Sequence, residues 1–384
     1  MPCRSASALY AVLFFFILLS AACKKHNPSS SPLLPNPAEI FVLGKTDITT
    51  QYWINGTAIP LPLPANTGPG VVRSMAINGF DIYVAGNAVI SGSSTGAFYW
   101  KDGVITHLPD TTGNASAFAV AVSGGDVYVA GTTYYPQNSH TPYTTPTALY
   151  PPTGYIVTVW KNGIPMNLPG NALGPGVVHG NGERLYAEYV SGLAISGSDV
   201  YVAGGSNEFV QGLDSTYQFA RYWKNGVPVN LTKGLVESSG GRVISYPETT
   251  GISVAGTDVY VSGAIDGASQ NQSLYWKNGE VTRLSQPGSF SRANSIYVTG
   301  NDVYVAGYVD SNNTSYATYW KNGARVTLGL GSRGSNANYI TVFHGDVYVA
   351  GSEDVNGTSY VTYWKNGAAN HLGVNGEAYS IAVE

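Results

Sequence analysis

The chain has 384 residues, of which 43% are hydrophobic and only 11% charged, with a formal net charge of −4. A chain of this length and hydrophobic content can bury a large core, while the small net charge and the lack of a long basic run argue against nucleic acid as a partner. Its 47 glycines and 28 tyrosines, set against few charges, are the balance of an extracytoplasmic β protein rich in turns.

Taken from the start, Arg4 precedes an apolar run from Ala11 to Leu19, and Ser20-Ala21-Ala22 leads into Cys23. The run falls short of the roughly 20 residues that span a bilayer. The segment resembles the signal of bacterial lipoproteins, in which the cysteine becomes the lipidated first residue of the mature chain; Ser20 stands where that family usually has Leu. Residues 1–22 are thus expected to be a signal peptide. Cys3 and Cys23 are the only cysteines, so the chain from Lys24 onward offers no disulfide, no thiolate nucleophile and no Cys-ligated metal.

Residues 23–38 carry Pro28, Pro32, Pro35 and Pro37 and predict an extended tether of about 45 Å behind the lipidated Cys23. Lys24, not Asp, follows the cysteine, which by the same resemblance implies the outer membrane. Membrane contact would be through the anchor alone.

From Glu39 to Glu384 the sequence repeats. All seven tryptophans (Trp53, Trp100, Trp160, Trp223, Trp276, Trp320, Trp364) occupy one position, next to a turn that reads Asn-Gly in six copies and Asp102-Gly103 in the other. Asn-Gly between β-branched and aromatic runs is a strong hairpin signal, because both turn residues need φ > 0. The best-preserved unit gives strand a at 295–299, strand b at 302–306, strand c at 316–320 and strand d at 324–328. Large apolar residues such as Met75, Ile77 and Ile296 alternate along strand a with mostly small ones such as Ser74, Ala76 and Ser295, so both faces are lined for burial. Units of this kind bury their faces only by stacking, and four-stranded units stacked radially make a β-propeller. The first unit begins at strand b, and the chain ends in a lone strand a at Ala378 to Val383. The expected fold is therefore all-β: a seven-bladed β-propeller of four-stranded antiparallel blades, closed by the C-terminal strand completing the first blade.

The Val-Tyr-Val-Ala-Gly strand b, the strand c tyrosine and the nearby tryptophan resemble kelch-like propellers, and resemble still more the tryptophan-containing repeats of bacterial envelope lipoproteins. That resemblance implies fold, not function.

Recurring carboxylates at Asp81, Asp126, Asp199, Asp258, Asp302 and Asp346 open strand b after a tight turn, where Asp is expected to cap backbone N–H groups. Asp266, Asp310 and Asp354 begin later loops that lack the length and terminal Glu of a calcium loop, and turn chemistry is again the expectation. The six histidines are scattered and no Gly-x-Ser-x-Gly or phosphate-loop motif occurs, so no catalytic residue, metal ligand or cofactor is assigned. Glu183 and Glu188 read as solvated surface charge. Long insertions fall only in b–c loops and blade-to-blade connections, which in an antiparallel meander share one side. Residues 132–158 form the largest, rich in tyrosine and proline. Tyrosine-rich loops offer large, stiff contact area. The function expected is that of a binding or scaffolding module for an envelope protein or glycan, through Tyr134, Tyr135, His140, Tyr143, Tyr150 and Tyr155, with Arg73, Asn294 and Asn338 entering strand a at the same face. The competing expectation is a secreted carbohydrate-active or other hydrolytic enzyme on the same fold.

Overall fold

Each repeat forms a four-stranded antiparallel sheet, and seven such blades close into a ring. The structure is a computed structural model that describes residues 38–384 apart from 48, 64–71, 92–93, 111–113, 136–152, 167–176, 179–183, 211–214, 234, 236–237, 240–241, 244, 268–270, 287–288 and 330–333. The signal, Cys23 and the tether lie outside the described residues, as do His140, Tyr143 and Tyr150.

The sixth blade shows the plan: Ser291–Thr299, Asp302–Ser311, Thr314–Lys321 and Ala324–Thr327 pair in sequence order from the axis outward. The inner strands are longer than the sequence pattern alone suggests. The outer strand is short and mostly exposed, which limits the edge that other chains could pair with.

The first blade is completed by the last strand, Gly376–Val383, which pairs with Ile40–Thr46 as the sequence predicts. Glu39 and Glu384 exchange backbone hydrogen bonds of 2.8 and 3.1 Å at the end of that ladder. The inner strands then contact one another around the full circle, the last strand touching both Val72–Asn78 of the second blade and Gly334–Phe343 of the seventh.

The core is divided among the blade interfaces. Among the described residues, seven buried clusters each join two consecutive blades, and each holds one tryptophan. Trp320 packs with Tyr260 of the preceding blade, and Trp53 with Tyr348, Ala350 and Val361 across the closure. All seven indoles are at most 3% exposed. Blades sandwiched in this way bury both faces, so strand b reads as a nearly continuous apolar run in place of an alternating one.

The turns hold a repeated clamp. In the sixth blade Asn322 and Gly323 take φ of 52° and 81°, and Val303 N–H donates to Asn322 Oδ1 at 2.9 Å. Asn322 Nδ2 donates to Asp302 Oδ1 at 2.8 Å and Lys321 Nζ reaches Asp302 Oδ2 at 2.9 Å. The same lysine lies 5.2 Å from the Tyr304 ring centroid. The capping oxygen is thus the asparagine's, and the recurring aspartate receives side-chain donors instead of the backbone N–H groups expected from its position. The second blade has Asp102 in the asparagine's place, accepting from Ile82 N–H at 2.9 Å. In the first blade Asn55 accepts from Ile40 N–H at 2.9 Å without a lysine partner, since Ile54 stands there.

The third and fourth blades depart from the simple repeat. Strands Asp126–Tyr135 and Thr153–Lys161 run beyond the ring, and Thr153, Gly154 and Tyr155 pair in parallel with Leu185, Tyr186 and Ala187 of the long strand Arg184–Ser196. Two long projecting edges leave unpaired backbone groups side by side, and pairing satisfies them. The insertion read at 132–158 is therefore strand at both ends. Glu188 likewise falls within a paired strand, opposite Ser206, and not in a loop; Glu183 lies outside the described residues.

Candidate functional site

Every inner strand carries a β-bulge at the same place. Pairing of strand a with strand b skips one residue in each blade: Arg73, Phe118, Ser191, Thr250, Asn294, Asn338 and Tyr379. A bulged residue leaves the ladder and its side chain is re-aimed. All seven line a cavity of about 420 Å³ on the propeller axis. It lies in the first half of the inner strands, toward the end where the b–c loops project.

The glycine closing strand b makes the bulge possible. A Cβ on Gly307 would collide with the Arg292 carbonyl oxygen, and one on Gly351 with that of Asn336. Gly44, Gly131, Gly204 and Gly263 meet the equivalent carbonyls of Glu377, Ser116, Tyr189 and Glu248. The recurring glycine at the end of strand b thus encodes the close backbone approach that a bulge requires.

Several bulge residues also tie one blade to the next. Asn294 Nδ2 donates to Ala337 O at 2.9 Å, and Asn338 Nδ2 to Ala378 O at 2.8 Å. Asn338 Oδ1 in turn accepts from Asn336 Nδ2 at 2.8 Å. Ser191 Oγ lies 2.8 Å from Thr249 Oγ1. The Arg73 guanidinium sits over the Phe118 ring, Cζ 5.4 Å from its centroid.

Two positions before the bulge, Tyr189, Glu248 and Arg292 add a second tier to the cavity wall. Arg292 Nη1 is in contact with Glu248 Oε1 and stands 4.0 Å from Asp266 Oδ2. Burial pushes the Glu248 carboxyl above its usual range, opposed by the Arg292 guanidinium and reinforced by Asp266. Tyr339 lines the cavity where the other blades have Ser74, Ala119, Gly192, Gly251, Ser295 and Ser380. It is the large exception to the small residues expected along this side of strand a.

Of the residues expected at the site, Arg73, Asn294 and Asn338 line the cavity. Tyr134 and Tyr155 are cross-strand partners with ring centroids 5.5 Å apart, edge to face, and do not line it. Tyr135 pairs through its backbone with Gly154. Phe118, Ser191, Thr250, Tyr379, Glu248 and Arg292 were not anticipated. A signal for the bulged residues exists: from the second to the seventh unit each stands thirteen positions before the glycine of strand b, as Asn294 does before Gly307.

The recurring carboxylates have protein partners. The six that open strand b pair with lysines at 2.6 to 2.9 Å, and at Asp346 the Lys365 ammonium, then the Asn366 amide, hold the carboxyl below its usual range. Asp354 Oδ1 accepts from Gly357 N–H at 2.8 Å and Asp310 Oδ1 from Ser315 Oγ at 2.6 Å, which is turn chemistry.

Fold and cavity together define a closed seven-bladed β-propeller with a polar axial chamber. The β-propeller domain of the Trilobed protease from Pyrococcus furiosus is similar with a TM-score of 0.46 at 8% identity, over 88% of this chain and 92% of that one. The Trypanosoma rangeli sialidase in complex with the inhibitor DANA gives 0.40 at 11%, over 85% and 56%, and the GH32 β-fructofuranosidase of Bombyx mori 0.30 at 13%, over 74% and 64%. No protein-family model and no curated protein matches the sequence.

Two measurements test this description. Gly307→Ala should destabilise the protein by about 3 kcal/mol in denaturant unfolding, whereas Gly334→Ala, where a Cβ meets nothing within 4 Å, should be close to neutral; equal effects would remove the bulge argument. Because the folded state raises the Glu248 carboxyl above its ordinary value near 4.5, the stability it contributes is full below that value and is lost as pH rises through the raised one. The melting-temperature advantage of wild type over Glu248→Gln should therefore shrink with rising pH across that window, and a flat or widening difference rejects the assignment.

Proposed function

We propose that the protein is a binding module whose ligand enters the axial cavity from the side bearing the b–c loops and blade connections, and that it is held at the bacterial outer membrane through lipidated Cys23. The ligand would be an envelope glycan or a segment of an envelope protein. The observation that carries the reading is the set of seven bulges: each blade independently delivers one side chain to the same chamber, and its volume falls within the several hundred Å³ usual for ligand sites. A hydrolytic enzyme is the second reading. It is favoured by Glu248, a carboxyl on the cavity wall raised by burial, since a raised carboxyl suits a general-acid role.

Melting curves of the purified protein against a panel of envelope-type oligosaccharides and peptides should show a ligand-dependent rise for wild type. A folded Ser191→Trp variant, whose indole fills the chamber, should lose it. No rise with any compound, or a rise unaffected by the variant, rejects the cavity as the binding site; release of reducing sugar by wild type shifts the balance to the second reading. For the anchor, incorporation of a palmitate analogue in cells should vanish in Cys23→Ala, and retained labelling removes the lipoprotein assignment.

A further inference from the structure

The cavity wall is not chemically uniform. Most of its strong hydrogen-bonding groups already have protein partners. Asn338 is engaged at both ends of its amide, Asn294 through its Nδ2, and Ser191 through Thr249. Thr250 Oγ1 donates to Ser262 Oγ at 3.0 Å. Arg292 is matched by Glu248 and Asp266, so the sector formed by the fifth and sixth blades holds its own counter-charges.

Arg73 differs. Among the described residues no carboxylate pairs with it, and residues 64–71, which lead into its strand, include no acid. Its position is fixed from two sides: the bulge aims it into the chamber, and its guanidinium rests on Phe118 of the next blade. Tyr379, the bulge residue of the blade on its other side, lines the same chamber; burial raises its phenol, against which Lys45 and, more weakly, Arg73 act. A guanidinium stacked on a ring keeps its edge N–H groups free, and that edge matches a carboxylate in a bidentate fork.

Resting on the cavity reading above, we propose that the chamber selects a small carboxylate-bearing ligand, that Arg73 is the residue that recognises the carboxylate, and that an acidic sugar is the class that suits an envelope location. The carboxylate would lie against the guanidinium edge at the sector formed by Arg73, Phe118 and Tyr379. The opposite sector, where Arg292 already has its counter-charges, would receive the rest of the molecule.

Titration calorimetry with D-glucuronate, its methyl glycoside as a mimic of a glycan end, and D-glucose as the uncharged counterpart tests the proposal. Wild type should bind at least one of the two acids about tenfold or more tightly than glucose, as expected for hydrogen bonds to a charged group, and the affinity should fall as NaCl is raised. Preference for the glycoside points to a chain end, and preference for the free acid to a soluble ligand. Arg73→Gln should erase the preference, and Arg73→Lys, which keeps the charge but not the fork, should restore part of it, with circular dichroism confirming that each variant is folded. Glucose binding as tightly as the acids overturns the carboxylate inference while leaving the cavity a binding site. Failure of both acids to bind wild type overturns it as well, as does acid binding that Arg73→Gln leaves unchanged.

Discussion

The contact on which the channel depends is the close approach of a strand a carbonyl to the glycine that ends strand b. Where those backbones meet, no Cβ fits, and Gly307 beneath the Arg292 carbonyl is the clearest example. The approach admits one extra residue on strand a, and the extra residue is the one that faces the axis. A structural glycine on the second strand thereby sets the chemistry of the first. Because the bulge recurs in every blade, seven side chains of six types, from Arg73 to Tyr379, reach one chamber.

Two other repeated devices keep this geometry rigid. The tryptophans fill the interfaces between blades, so the apolar surface of each sheet is buried by its neighbour and not within itself. The Asp-Lys-Asn clamp secures the turn that joins strands c and d to the start of strand b. Its charges are exposed and their pairing is weakened by solvent and salt. Its fixed element is the asparagine, whose carbonyl caps a strand b N–H while its backbone takes positive φ. Stability in the chain from Lys24 onward, which has no cysteine, therefore rests on packing and turn geometry.

Much of the chamber wall is engaged in holding the ring together. Asn294 and Asn338 bond the backbone of the next blade, so part of what looks like a ligand-binding surface is the seam of the ring. Arg292 and Glu248 compensate each other across two blades. Arg73 has no carboxylate partner among the described residues, and the asymmetry follows from different residues standing at one repeated position behind the same bulge.

The sequence by itself determined the repeat, the hairpins and the closure. Those signals are local: Asn-Gly specifies its turn through φ, the tryptophan marks each unit, and a missing strand at one end with a surplus strand at the other implies a latch. It also pointed to Arg73, Asn294 and Asn338, because the side of the ring follows from chain direction alone. The tertiary structure decided what depends on pairing between distant residues. The bulge is a mismatch of register, so the constant spacing of Phe118, Ser191 and Thr250 from the strand b glycine acquires its meaning only when strand b is laid beside strand a. The merging of the third and fourth blades through Tyr155 and Ala187 needs two projecting edges to meet in space. The Arg292–Glu248 pair joins strands from separate blades, and only the curvature of the ring brings those charges together.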